Sequence, residues 1–109
     1  MYEVKITKIA EEDLLEVVRY ISGNLKSPSA AIELMDLIEQ ELKKLQGSPF
    51  TCRLVHDEYL KDKGIRFLQV KNHLAFYRVR EDKKEVSVIR ILFARRDWNH
   101  LLEATVTED

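Results

Sequence analysis

Three β-type runs follow one another so closely in the last third of the chain that few folds remain open to it. They are Gly64-Ile65-Arg66-Phe67-Leu68-Gln69-Val70, then Asn72-His73-Leu74-Ala75-Phe76-Tyr77-Arg78-Val79, then Val86-Ser87-Val88-Ile89-Arg90-Ile91-Leu92-Phe93. Only Lys71-Asn72-His73 and Glu81-Asp82-Lys83-Lys84 separate them, so neighbouring runs must pair antiparallel. The first half reads differently. Tyr2 to Ile6 alternates and predicts a first strand, with Thr7 as the cap of the helix that follows. Leu14, Val18, Ile21 and Leu25 share one face of a helix over about residues 9–24. Ser27-Pro28 opens a second helix, marked by Ala31, Leu34, Ile38, Leu42 and Leu45 and stopped at Gly47 and Pro49.

The element order is therefore β-α-α-β-β-β. It predicts an α+β fold in which an antiparallel twisted sheet is covered on one face by a helical hairpin. Residues 50–63 read as mostly loop. A short turn or helix over 95–102 should pack Trp98 and Leu102 back on the core. Residues 1–102 make a single domain, and 103–109 are expected to be a frayed acidic tail.

A hydrophobic fraction of 45% with 34% charged residues fits a folded, soluble domain and argues against disorder. No apolar run approaches the roughly 20 residues needed to cross a bilayer, and the N-terminus does not read as a signal peptide. A lone Cys52 gives neither a disulfide framework nor a Cys-based metal site. The expected location is cytoplasmic. His56, His73 and His100 lack metal-ligand spacing, and with only three glycines there is no phosphate-cradling loop. Neither a metal nor a cofactor is expected.

Net charge is −1, but it is unevenly divided. Residues 1–52 carry six basic and nine acidic side chains, and residues 53–100 carry twelve and seven. The positive charge sits with the sheet, which points to an anionic partner or to internal neutralisation by helix acids. Arginines interrupt the strands, and each needs water, a carboxylate or a phosphate. With Lys71 to His73 as a three-residue loop, Val70 faces Leu74 and Arg66 faces Arg78. Such a like-charge pair favours an anion between the two. Arg90 lies between apolar neighbours and is expected to pair with a helix acid. Arg95 and Arg96 follow a strand end, where rigid support meets exposure. They read either as a phosphate or partner-acid contact, or as a solvated turn paired with Asp97.

Taken together, the alternating first strand, the helix hairpin, Ile65-Arg66-Phe67-Leu68, Phe76-Tyr77-Arg78-Val79 and Arg95-Arg96-Asp97-Trp98 resemble the RelE/ParE superfamily of bacterial toxins. The resemblance runs from Tyr2 to about Leu102. It implies the toxin half of a type II toxin–antitoxin (plasmid stabilisation) module, neutralised by a cognate antitoxin that partly wraps it. It also implies one of two growth-arresting activities on one fold. ParE-like members block DNA gyrase. RelE-like members cut messenger RNA on the ribosome without metal.

A metal-free cut needs cations at the phosphorane and a group that moves protons. In this chain Arg66 and Arg96 would supply the first, and His73, or less well Tyr77, the second. The family's nucleases commonly carry arginine near Leu74, His or Tyr at Phe93, and tyrosine near Leu102, and this chain departs at all three. The resemblance is therefore closer to ParE, with Arg66, Arg78, Arg95 and Arg96 expected to contact a partner or nucleic acid. An inactive relic, with every arginine in a structural ion pair, is the third possibility.

Overall fold

The computed structural model describes residues 1–107. Strand β1 (Glu3–Ile6) leads into α1 (Lys8–Arg19), and α2 (Pro28–Lys43) returns antiparallel to it. A short α3 (Glu58–Asp62) precedes β2 (Arg66–Val70), β3 (His73–Arg80) and β4 (Glu85–Phe93), and α4 (Trp98–Thr107) follows. The sheet order is β1-β4-β3-β2. The three later strands pair antiparallel as predicted, but β1 runs parallel to β4, so the sheet is mixed.

Local chemistry explains the helix starts. Thr7 accepts from the Ala10 amide through its side chain, and Pro28 sits at the first turn of α2. Helical turns continue past α1 as a π segment over Tyr20–Asn24. The second helix buries the stripe predicted for it, at Ala31, Leu34, Ile38, Leu42 and, just past its end, Leu45. On the first helix Leu14 is buried and Ile21 packs against the same core, but Leu25 is exposed.

The hairpin covers one face of the sheet, where these residues meet Val70, Ala75, Tyr77, Val86, Val88 and Ile91. The other face is also covered. Leu74, Phe76, Ile89 and Leu92 pack there with Val55, Leu60, Ile65 and the helical Leu102 and Val106. Residues 50–63 are mostly loop as expected, and hold one short helix capped by Asp57, whose carboxylate accepts from the Leu60 amide at 3.0 Å. Residues 103–107 continue α4 with Val106 buried, so this part of the expected frayed tail is helical. Residues 108 and 109 lie outside the described residues.

The β2–β3 register is one residue tighter than predicted. Lys71 takes φ 53° and closes the turn with Asn72, so Val70 faces His73 and Arg66 faces Tyr77. Arg66 and Arg78 are not cross-strand partners, and no anion is needed between them. A one-residue slip also exchanges the faces that the two strands present to each other.

A β-bulge in β4 makes the second departure from simple alternation. Phe76 pairs with Arg90 and Tyr77 with Val88, leaving Ile89 as the extra residue. Val88 and Ile91 consequently reach the hairpin-side core, and Ile89 and Leu92 the opposite one. Without the bulge, Val88 and Leu92 would share a face.

Candidate functional site

The arginines of the sheet divide into those used by the fold and those presented outward. Arg90 belongs to the first kind. It donates from Nε to Asp13 Oδ2 at 2.9 Å and from Nη2 to Oδ1 at 2.8 Å, a bidentate pair. Its Nη1 reaches the Thr105 hydroxyl at 3.2 Å. Asp13 Oδ2 also accepts from the Ile91 amide at 2.9 Å. The geometry follows from β1 being short. It stops opposite Val88, and the side chain of Asp13 on α1 takes over where strand pairing ends. The carboxylate holds the guanidinium even more firmly protonated than usual, against the opposing effect of burial. The helix acid predicted for Arg90 is therefore Asp13.

Arg66 is held by neutral groups. Its Nη1 donates to the carbonyls of Cys52, at 2.6 Å, and Phe50, at 3.4 Å. The guanidinium carbon lies 5.1 Å from the centre of the Phe50 ring. Phe50 in turn meets Tyr2 edge-on at 6.3 Å, and Tyr2 lies under Lys84. Tyr2 donates its hydroxyl to Glu81. Arg78 is half-buried on β3 opposite Ser87.

The other end of the sheet is different. Val70, His73 and Phe93 stand side by side there, one on each strand. Beyond Phe93 the Ala94 amide bonds the Asn72 carbonyl at 2.8 Å, and the Arg96 amide bonds the Phe93 carbonyl at 3.0 Å. These two bonds fix the turn that displays Arg95 and Arg96, both exposed and neither in an ion pair among the described residues. Asp97, which could have neutralised them, lies 3.6 Å from His100 instead.

The predicted trio of Arg66, Arg96 and His73 therefore does not come together. Arg66 begins β2 and His73 faces its last residue, four positions on, roughly 13 Å along a strand. Arg66 also turns toward the 50–52 segment. Only His73, Arg95 and Arg96 share an end of the sheet.

The two groups proposed to handle protons are both constrained. Tyr77 is wholly buried, and its hydroxyl donates to the Pro49 carbonyl at 2.9 Å. Burial, more than any partner, drives its pKa far above the ordinary phenol value. His73 is half-buried edge-on to Phe93 at 5.7 Å, and burial lowers its pKa, which favours neutral imidazole. Among the described residues its Nδ1 has no hydrogen-bond partner. Phe93 has no group able to exchange a proton.

Sequence reasoning missed Phe50, which lies in the segment read as loop, and the carbonyls of Phe50 and Cys52 that hold Arg66. An aromatic within two residues of the helix stop at Pro49 was the available signal. Among the described residues no group of three or more His, Cys, Asp or Glu is arranged to hold a metal ion. None of their helices is long and apolar enough to cross a membrane.

Known proteins place this arrangement. The solved chromosomal ParDE toxin–antitoxin system from P. aeruginosa is 24% identical with a TM-score of 0.72, over 87% of this chain and 98% of that one. The E. coli RelBE toxin–antitoxin complex is 15% identical with a TM-score of 0.58, over 88% of this chain and all of the matched one. The free E. coli toxin RelE, solved as an arginine-to-alanine double mutant, is 14% identical with a TM-score of 0.65, over 98% and 96%. These likenesses establish a shared fold. No curated protein matches the chain. The model of the ParE toxin of type II toxin–antitoxin system, parDE, matches residues 4–98. That match spans most of the chain, which therefore belongs to the ParE toxin family of type II toxin–antitoxin systems.

Proposed function

We propose that this chain arrests growth by binding and blocking DNA gyrase, and that a cognate antitoxin encoded beside it neutralises it in the cytoplasm. One observation carries the reading: two of the side chains that a metal-free RNA cut would use are committed elsewhere. Tyr77 is sealed under Pro49, and Arg66 is anchored at the start of β2, away from the end of the sheet that leads to Arg96. What remains outward is cationic surface at Arg95 and Arg96, suited to a protein–protein contact with an acidic target surface. The antitoxin reading is supported by the family and by the solved P. aeruginosa relative, itself a toxin–antitoxin system. A plasmid-stabilising role would follow from that pairing.

The test is gyrase supercoiling with the purified chain. Inhibition at micromolar concentrations is expected, and its absence counts against the reading. One feature favours a second reading, ribosome-dependent cleavage of messenger RNA: His73 stands at the same end as Arg95 and Arg96. Primer extension on messages from induced cells separates the two, because only a nuclease leaves discrete cuts. Normal growth on overproduction without antitoxin would mark an inactive relic.

A further inference from the structure

Among the described residues three that are not glycine take a positive φ, and all three are lysines: Lys26 at 52°, Lys71 at 53° and Lys84 at 50°. A Cβ crowds that backbone, so glycine is its ordinary occupant. A residue held against such a preference is a pointer to function. For Lys84 the use lies within the chain. Its Nζ stands 5.0 Å from the centre of the Tyr2 ring and 3.7 Å from Glu81 Oε2. Lys26 is exposed on the link between the two helices of the hairpin. Lys71 is exposed too, and its ammonium has no carboxylate or ring partner among the described residues. Its neighbourhood singles it out.

Lys71 and Asn72 form the two-residue loop between β2 and β3, and the Asn72 carbonyl accepts from the Ala94 amide at 2.8 Å. That bond ties the loop to the turn after β4. Lys71 and Arg95 each lie one residue from it. Beside the two turns, on the ends of β3 and β4, His73 stands opposite Phe93. Phe93 is 43% exposed, although the other apolar residues of its strand are buried. It packs edge-on to His73 and belongs to neither core. An exposed aromatic thus stands at the end of the sheet that carries Lys71, Arg95 and Arg96, three cations without a carboxylate partner among the described residues.

We propose that Lys71 and Phe93 join Arg95 and Arg96 in one target-contact surface, which seats an apolar side chain of an acidic protein on the Phe93 ring and its carboxylates on the three cations. An aromatic centre with a charged rim is how protein interfaces divide affinity and orientation. The cations steer the encounter and reject partners of like charge. This accounts for a lysine in a loop position where glycine would rest more easily, and for a phenylalanine left outside both cores. A nucleic-acid strand fits less well, because a long polyanion meets a chain of net charge −1 and gains little from it as a whole. A protein target need meet only this end. The proposal deepens the gyrase reading and rests on it for the target.

The test is a dose–response of gyrase supercoiling with the whole purified chain and its variants, alongside urea unfolding of each. Lys71→Gly relaxes the loop, so its unfolding midpoint should equal or exceed the parent's. Its half-inhibiting concentration should nevertheless rise about threefold or more, and Lys71→Arg should restore the parent value. Phe93→Ser should raise that concentration about tenfold or more in a protein that still unfolds cooperatively. Lys84→Gly gives up its contacts with Tyr2 and Glu81 at the other end of the sheet and should inhibit like the parent. Parent-like inhibition by Lys71→Gly and Phe93→Ser would overturn the proposal and leave the gyrase reading standing. Equal losses in Lys84→Gly would overturn it as well, since the effect would not belong to this end. Cutting of messages by the parent that Lys71→Gly and Phe93→Ser both abolish would assign the surface to RNA and overturn it. A parent chain that does not inhibit supercoiling fails the gyrase reading, and the proposal with it.

Discussion

Arg90 and the Arg95–Arg96 pair sit within six residues of one another on and just past the same strand, yet they have opposite fates. Arg90 is clasped by Asp13, with 14% of its side chain exposed against 6% for the carboxylate. Arg95 and Arg96 are exposed and carry no ion pair among the described residues. The same side chain serves the fold in one place and the surface in the other. What differs is the neighbouring element. Helix α1 lies against β4 where β1 has ended, and it brings a carboxylate; at the turn after Phe93 the nearby Asp97 lies by His100, and no carboxylate pairs with Arg95 or Arg96 among the described residues. An arginine in a strand is thus assigned by what packs over it, and the residue type alone does not decide.

The comparison can be broken most sharply at Asp13. Asp13→Ala strands a mostly buried guanidinium and the Ile91 amide together, and should cost about 3–5 kcal/mol in urea unfolding. A loss below about 1 kcal/mol would mean that Arg90 is no more committed to the fold than Arg95. Next is Tyr77→Phe, which leaves the buried Pro49 carbonyl without its donor and should cost about 1–3 kcal/mol. Under the gyrase reading this variant still inhibits supercoiling when assayed below its melting temperature. Abolished activity in a folded Tyr77→Phe protein would point instead to proton transfer.

A smaller effect is expected from His73. Burial lowers its folded pKa, so the unfolded chain binds the proton more readily. Stability contributed by the neutral ring is complete above the unfolded value of about 6.5 and declines as pH falls below it. His73→Asn should flatten that acid-side decline in melting temperature, leaving only the slope due to carboxylates. The smallest stability change belongs to Arg95→Ala with Arg96→Ala, within about 0.5 kcal/mol by urea unfolding.

Much of this architecture was legible in the chain. The stripe of the second helix, the cap at Thr7, the helix start at Pro28, the three sequential strands and the pairing of Arg90 with a helix acid all follow from spacing and charge, while Ser27, expected to cap the second helix, makes no side-chain capping bond. The parts that did not follow depend on contacts between distant segments. A turn of two residues in place of three moved Arg66 opposite Tyr77, because Lys71 accepts a left-handed backbone that its residue type does not advertise. The bulge at Ile89 is silent in sequence, since Val88 and Ile89 are both apolar and fit either face. The extension of α4 to Thr107 rests on burial of Val106 in a second core that a one-sided sheet would not have had. The site suffered most. Arg66, His73 and Arg96 are each plausible by residue type, but the length of β2 and the bond to the Cys52 carbonyl keep Arg66 away from the other two.

The most direct measurement compares gyrase supercoiling by the parent chain with that by the Arg95→Ala, Arg96→Ala double variant, alongside unfolding curves of both. The account predicts matching unfolding curves and inhibition weakened about tenfold or more. Full inhibition by the folded double variant would contradict the claim that these two arginines, unlike Arg90, are held for a target outside the molecule.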